Sequence, residues 1–340
     1  MSLELANVAV DLRQQQLEQW LAEQLGGCPT GMSAGSDAGF RRYFRYQLDG
    51  RSLIAMDAPP EHEDCRPFVK IAGLLAGAGV LVPEIIAEDV ERGFLLLSDL
   101  GNDTYLDVMN REGFNLAQAD ELFADAIDAL IKFQSSSDAE QLPAYDEVLL
   151  RRELNLFPEW YLQRHLGIVI DDRMGACLEQ LFNQLIEQIL SQNNVFVHRD
   201  YMPRNLMINR VDDRGVGVLD FQDAVYGPIS YDIASLFSDA FISWPQDKIE
   251  EWLRRYWQKA VEAGLPVPDV FEQFVRDCDF MVTQRHLKVI GIFSRICHRD
   301  GKRRYFDDVE RFFKYIDIVA KRRPEMSALR EILQLMGKGC

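Results

Sequence analysis

Residues 195–224, VFVHRDYMPRNLMINRVDDRGVGVLDFQDA, bring two aspartates and an asparagine into a close spacing. A short apolar run leads into His198-Arg199-Asp200. Asn205 follows, and Asp220 stands at the exit of a second apolar run, VGVLDF. LMINRV and VGVLDF read as short strands around the turn Asp212-Asp213-Arg214-Gly215, and a hairpin of this length predicts Asp220 beside Asn205 and Asp200. Two carboxylates and an amide oxygen in one place make a hard-oxygen site. Mg²⁺ favours such a site together with substrate phosphates, and softer metals do not. Phosphoryl transfer asks for those parts: a base near the acceptor hydroxyl, and ligands that hold metal against nucleotide phosphates. Asp200 would then accept or orient the hydroxyl proton, Asn205 and Asp220 would hold Mg²⁺, and His198 would pack beneath the loop.

The chain carries its own control. His298-Arg299-Asp300 repeats the tripeptide, but Tyr305 stands where the asparagine would be, and no strand-turn-strand with a terminal aspartate follows. The tripeptide alone is therefore cheap. The signal lies in the spacing from Asp200 to Asn205 combined with the hairpin and its closing LDF.

These residues need a scaffold, and the pattern supplies one in two parts. Residues 8–25 place Leu17, Trp20, Leu21 and Leu25 on one helical face, and Gly26-Gly27 ends that helix. FRRYFRYQL then alternates large and polar residues, Asp49-Gly50 signals a two-residue hairpin, and SLIAM is apolar. A helix from about Pro67 to Gly77 precedes two strand-like runs, VPEII and GFLLL, joined at Glu88–Arg92. After Leu100 the chain reads as mostly helical. Apolar residues follow the 3.6-residue period over 116–133 and, more cleanly, over 172–190. A strand-rich region before a helix-rich one predicts an α+β protein in two lobes, residues 1–100 and 101–340.

The 340 residues fit about two domains, and 47% apolar with 27% charged residues is a globular composition. No run approaches the ~18 apolar residues of a membrane helix, and the N-terminus, with Glu4 and no basic start, does not read as a signal peptide. A net charge of −17 repels phosphate backbones and argues against nucleic acid as a partner. The charge is uneven: residues 281–340 hold 14 basic and 7 acidic side chains, so a basic end sits on an acidic protein. Such an end suits either an anionic ligand or solvated helix faces. The six cysteines, 28, 65, 177, 278, 297 and 340, show no CxxC spacing and read as thiols of a reducing cytoplasm.

HRDYMPRN followed by VLDFQDA resembles the catalytic and metal-binding loops of protein-kinase-like phosphotransferases, in the aminoglycoside phosphotransferase and choline kinase branch. More narrowly, FRRYFR, IAMDAPPE, LLLSDLG, HRDYMPRNLM, DFQDAVYGPISYDIASL and QRHLKVIGIF are similar to the bacterial anomeric sugar kinases of cell-wall recycling. That family phosphorylates N-acetylmuramate and N-acetylglucosamine at the 1-hydroxyl. The resemblance implies a bilobal fold, a small five-stranded N-terminal lobe over a larger helical C-terminal lobe, with ATP and Mg²⁺ in the cleft. It also implies a small-molecule amino-sugar substrate, no membrane and no obligatory protein partner. Residues 97–100 would be the hinge, with the backbone at Asp99 and Leu100 meeting adenine. Residues 33–40, including Ser33 and Gly35, would cover the phosphates, and Asp232 would brace the catalytic loop with His198.

The pattern departs from that family type at one point. The third strand reads SLIAMDAP, with Met56 near the place of the usual phosphate-gripping lysine. Arg41, Arg42 or Arg45 could supply the cation, since guanidinium pairs well with phosphate. Alternation puts Arg42 on one face of the strand and Arg41 and Arg45 on the other, without saying which face meets the phosphates. Glu61 and Glu63 are candidate partners for that cation. For the acceptor, RRELNLFPEWYL (151–162), with Glu153, and QRHLK (284–288), with Arg285 and His286, offer charge beside aromatic rings. Both segments read equally as ordinary amphipathic helix. Two other functions stay open: a kinase for a cationic acceptor, which the net charge suits as well, and a non-catalytic nucleotide-binding pseudokinase.

Overall fold

The computed structural model describes residues 11–27, 31–36, 40–209 and 215–337. Residues 8–10 of the expected first helix, residues 37–39 of the expected phosphate loop and the turn residues 212–214 lie outside these. In chain order, α1 (Leu12–Leu25) is followed by β1 (Gly31–Ser36), β2 (Arg42–Leu48), β3 (Arg51–Asp57), α2 (Arg66–Gly77), β4 (Ile85–Asp89) and β5 (Phe94–Ser98). Then come α3 (Tyr105–Met109), α4 (Leu116–Ser135), α5 (Glu147–Leu154), a π-helix (Phe157–His165) and α6 (Asp172–Leu190). Four short strands follow: β6 (Asn194–Val197), β7 (Leu206–Met207), β8 (Gly217–Val218) and β9 (Val225–Pro228). Helices α7 (Tyr231–Phe237), α8 (Gln246–Glu262), α9 (Phe271–Asp300), α10 (Val309–Arg322) and α11 (Ser327–Leu335) close the sequence of elements.

Contacts divide the chain into two compact units, Met1–Asn102 with Met207–Asp223, and Asp103–Leu206 with Ala224–Cys340. The first is a five-stranded antiparallel sheet in the order β1-β2-β3-β5-β4. Helix α1 is capped by Asp11 at its start and by left-handed Gly26 at its end. Its Leu17, Trp20 and Leu21 bury one face of the sheet with Phe44, Tyr46, Leu53, Ala55, Phe94 and Leu96. Strand alternation therefore turns Tyr43 and Arg45 of β2, and Ile54 and Met56 of β3, to the opposite face. Asp49 and Gly50 both take positive φ (48° and 77°), the geometry of a tight primed hairpin turn, as the sequence predicts. Gly93 is obligatory, because a Cβ there would stand 1.8 Å from the Ala58 carbonyl oxygen. The strand expected around VPEII begins only at Ile85; Pro83 lacks the N–H a ladder needs.

The second unit is mainly helical. The stripes of α4 and α6 are buried as their periodicity predicts, with Phe123, Ile127 and Leu130 in the first and Leu178, Leu181, Leu185 and Ile189 in the second. Its longest element is α9, of 30 residues. At Gly291 a Cβ would meet the backbone of Leu156 at 2.5 Å, so the absence of a side chain lets α9 approach the start of the π-helix this closely. The helix expected over 151–162 is broken into α5 and that π-helix. Strands β6 and β9 pair antiparallel, with Val197 opposite Val225, and they frame the loop that follows β6. Cys65, Cys177 and Cys278 are buried free thiols and Cys297 is partly so; Cys28 and Cys340 lie outside the described residues. Among the described residues no helix is long and apolar enough to cross a membrane.

Candidate active site

The loop after β6 is clamped from below. Asp232, at the start of α7 and fully buried, accepts the backbone N–H of His198 (2.7 Å) and of Arg199 (3.0 Å). Burial raises the Asp232 carboxyl to about 7, although the two amides and Arg285 pull it down. Arg199 takes φ 76°, a left-handed conformation that an arginine adopts only when its surroundings impose it. The amide of Asp200 donates to His198 Nδ1 (3.2 Å), which makes that nitrogen the acceptor of a fully buried ring. Asn205 Nδ2 donates to the Asp200 carbonyl at 2.8 Å and closes the loop on itself. Asp200 and Asn205 are thus brought together as the spacing predicts, and His198 packs as expected.

Glu153 has a different place from the one expected of it. Its carboxylate is buried and engaged by four donors: Arg199 (2.6 Å), Tyr145 Oη (2.6 Å), Lys288 Nζ (2.9 Å) and Gln284 Nε2 (3.0 Å). Burial alone would raise its pKa, but Lys288 and Arg199, with Tyr145, outweigh burial and bring it to about 2. Glu153 is therefore a buried anchor for Arg199 rather than a group offered to an acceptor. His286 is also interior: Nε2 lies 2.9 Å from the Ser238 carbonyl, the ring packs on Phe312 and Tyr315, and burial lowers its pKa to about 3. Sequence reasoning missed Tyr145, Lys288 and Gln284 as partners of Glu153. For Gln284 and Lys288 the trace is their spacing of four residues on one face of α9, whereas Tyr145 precedes α5 and leaves no periodic signal.

The remaining candidates belong to the first unit. Asp220 takes φ 61°, with Oδ1 accepting Gln222 Nε2 at 2.8 Å. Phe221 is fully buried and packs on Phe68 of α2 at 4.7 Å between ring centroids. The Val218 amide donates to Leu81 O at 2.8 Å, and Gly217 faces Leu100 so closely that a Cβ would sit 2.9 Å from its Cδ1. Arg42, on the α1 face, is held by buried Asp57 (2.5 Å) and by Asp11. Arg41 instead pairs with Glu63 at 3.1 Å; burial works against its charge, but Tyr43, Glu63 and Asp220 together raise its pKa. Glu61 is exposed. Arg45 pairs with Asp99 at 2.6 Å, and Ser52 and the Gly101 amide complete that carboxylate's bonds. The Asp99 side chain is therefore an internal tie. Met56 is fully buried. Ser33 and Gly35 lie in β1 on either side of a bulge, opposite Phe44 and Tyr43 of β2. Their side-chain surroundings lie outside the description.

Comparison with known proteins gives a family. A curated N-acetylmuramate/N-acetylglucosamine kinase of Pseudomonas aeruginosa is 55% identical over 97% of this chain and 98% of its own length. A protein of the same name from Pseudomonas putida is 56% identical over the same shares. Among solved structures, an ADP-bound aminoglycoside phosphotransferase superposes with a TM-score of 0.59 at 13% identity, covering 88% of this chain and 97% of that one, which shows the protein-kinase-like fold. With residues 30–271 matching the pattern of the phosphotransferase enzyme family, and relatives of this identity along nearly the whole sequence, the chain belongs to that family.

Proposed function

We propose that the protein is a Mg-ATP-dependent sugar kinase that phosphorylates N-acetylmuramate and N-acetylglucosamine at the anomeric 1-hydroxyl, in the cytoplasm and as part of cell-wall recycling. The observation that carries this reading is the closed loop from Asp200 to Asn205 on its Asp232 clamp, in a chain more than half identical to proteins named for these sugars. The ADP-bound neighbour supports the choice of nucleotide. Residues 1–100 act as the nucleotide-binding lobe and 101–340 as the catalytic and acceptor-binding lobe, except that the segment 207–223, with Asp220, groups with the former.

Asp200 takes the proton of the sugar hydroxyl while that oxygen bonds to the γ-phosphorus. The bond from that phosphorus to the β,γ-bridging oxygen breaks, and ADP leaves. Asn205 and Asp220 fit Mg²⁺ by the chemistry of their donors, a carboxylate and an amide oxygen. The bond from Asn205 Nδ2 to Asp200 supports Oδ1 as the metal-facing end. Mg²⁺, when bound, neutralises charge on the phosphates. Arg41, paired with the half-buried Glu63, is the cation on the nucleotide phosphates in place of the third-strand lysine, since the interior carboxylates of Asp57 and Asp99 hold Arg42 and Arg45. Ser33 and Gly35 approach the phosphates, and the backbone at Asp99 and Leu100 meets adenine.

The test is ATP consumption by purified protein with both amino sugars, choline and an aminoglycoside, with the product position read by phosphorus NMR. Turnover confined to the N-acetyl sugars, with phosphate on the 1-oxygen, is expected, and Asp200→Ala should lower kcat by about 10²–10⁴. Turnover of choline or the aminoglycoside instead would remove the acceptor assignment. An Asp200→Ala enzyme as fast as wild type would remove the base.

A further inference from the structure

Arg199 stands immediately before the proposed base, in the left-handed conformation that a non-glycine residue keeps only when its surroundings over-determine it (φ 76°). Both ends of the residue are held. Its backbone N–H donates to Asp232 Oδ1 at 3.0 Å, and its guanidinium Nη2 donates to Glu153 Oε1 at 2.6 Å. Asp200 follows directly, with its amide on His198 Nδ1 and its carbonyl accepting Asn205 Nδ2. What holds Arg199 therefore sets the course of the chain into Asp200.

Glu153 reaches the loop from α5, 46 residues earlier in the chain. Helix α9 grips the same carboxylate through Lys288 (2.9 Å) and Gln284 (3.0 Å), and Tyr145 Oη adds a bond of 2.6 Å. Lys288 also donates to Tyr231 Oη at 3.2 Å, and Tyr231 precedes Asp232 at the start of α7. Arg285 of α9 is 4% exposed, an interior residue rather than one offered to an acceptor, and its charge acts on Asp232. Both carboxylates that hold Arg199 are thus braced from α9. The side chains of Glu153, Arg199 and Lys288 are 6%, 18% and 12% exposed, so water competes little for their bonds. Charge pairing alone asks for less than this, because Lys288 and Glu153 would balance each other without Arg199. The bond from Glu153 to Arg199 adds a fixed direction to a loop whose next residue does the chemistry.

Resting on the kinase reading above, we infer that Glu153 is a positioning residue for the transfer step: through Arg199 it fixes the left-handed turn that presents the Asp200 carboxylate to the acceptor hydroxyl. Its contribution is to geometry in the reacting complex rather than to affinity. A reacting group displaced by about 1 Å can cost about 10²-fold in rate. Loss of the tether therefore lowers kcat and leaves KM in place.

The experiment measures kcat and KM for Mg-ATP and N-acetylglucosamine on wild-type protein and variants, at a temperature well below each Tm. Glu153→Gln leaves Arg199 and Lys288 as two cations without their anion, so its Tm should fall. Glu153→Gln/Lys288→Met removes one cation together with the anion, keeps the same excess of positive charge among these side chains, and should recover much of that Tm. In both, kcat should fall about 10–100-fold while the two KM values stay within about threefold of wild type. Arg199→Met, which leaves Glu153 paired with Lys288, should lower kcat by a similar factor. Adding Glu153→Gln to it should cost little further, since residues that act as one unit are non-additive. Wild-type kcat in Glu153→Gln/Lys288→Met overturns the inference in favour of a purely structural role. Raised KM values at unchanged kcat overturn it in favour of a binding role, and losses that multiply between Arg199→Met and Glu153→Gln overturn the route through Arg199. Wild-type protein that phosphorylates no amino sugar removes the kinase reading, and this inference with it.

Discussion

Two residues carry charge problems that sequence order hides. Removing Glu153 leaves Arg199 and Lys288 as two cations in one buried pocket, a loss that typically costs about 3–5 kcal/mol. Its carboxyl is depressed from the ordinary 4.5 to about 2, so its contribution is fully present above about pH 4.5 and is lost as pH falls through the folded value. That shift corresponds to roughly 3 kcal/mol. Urea unfolding should therefore show Glu153→Gln less stable than wild type at pH 7, with the gap narrowing steadily below pH 4.5; a gap independent of pH would deny the ion network. The Arg41–Glu63 pair calls for a kinetic test. Arg41→Ala should raise KM for Mg-ATP by about 10-fold or more, and adding Glu63→Gln should cost little further, since paired residues act non-additively. An unchanged KM would exclude Arg41 from the phosphates. The alternation of β2 separated Arg42 from Arg41 and Arg45 in the sequence, but only the partners reveal the outcome: buried Asp57 claims Arg42 from the α1 face. Glu153 was misread for a related reason, because its partners lie 46 and 131 residues away.

Elements were legible where one periodicity acts alone. The stripe of α6 buries the same residues that its 3.6-residue spacing marks, and Asp49-Gly50 makes its turn with two positive φ angles. The segment after Glu153 was not legible. Phe157 and Tyr161 keep a helical spacing, yet the backbone is a π-helix, and Phe157, Tyr161, His165 and Phe306 stack along it. A close approach to α9, invisible to local propensity, accompanies that geometry. Among the described residues, the expected strands LMINRV and VGVLDF pair only at Leu206–Met207 and Gly217–Val218, because pairing depends on partners such as Leu81 rather than on composition; residues 210–211 lie outside the description. The crossing at Gly291 can be tested. Gly291→Ala puts a methyl group against the Leu156 backbone, and overpacking of this kind costs about 1–3 kcal/mol. Calorimetry should show a Tm lowered by several degrees; an unchanged or raised Tm would mean that the two helices separate without penalty.

At the scale of the whole chain the relevant quantity is the field of 17 excess negative charges. Within the basic C-terminal stretch, Arg322 and Arg323 bind Asp279, Arg323 also binds Glu272, and Arg330 binds the carbonyls of Ala320, Arg323 and Pro324, so these three cations are tied internally. Long-range repulsion of anions is therefore the expected net effect, and it fades as the Debye length shrinks from ~30 Å at 0.01 M salt to ~8 Å at 0.15 M. The two proposed acceptors make a controlled pair for this argument. N-acetylmuramate is an anion and N-acetylglucosamine is neutral, while both would enter the same site. With Mg-ATP saturating and free Mg²⁺ fixed, kcat/KM for N-acetylmuramate should rise over that salt range, and kcat/KM for N-acetylglucosamine should stay flat. Comparing the two cancels any general effect of salt on the enzyme. A fall for N-acetylmuramate alone would mean that local cations near the acceptor outweigh the charge of the molecule as a whole.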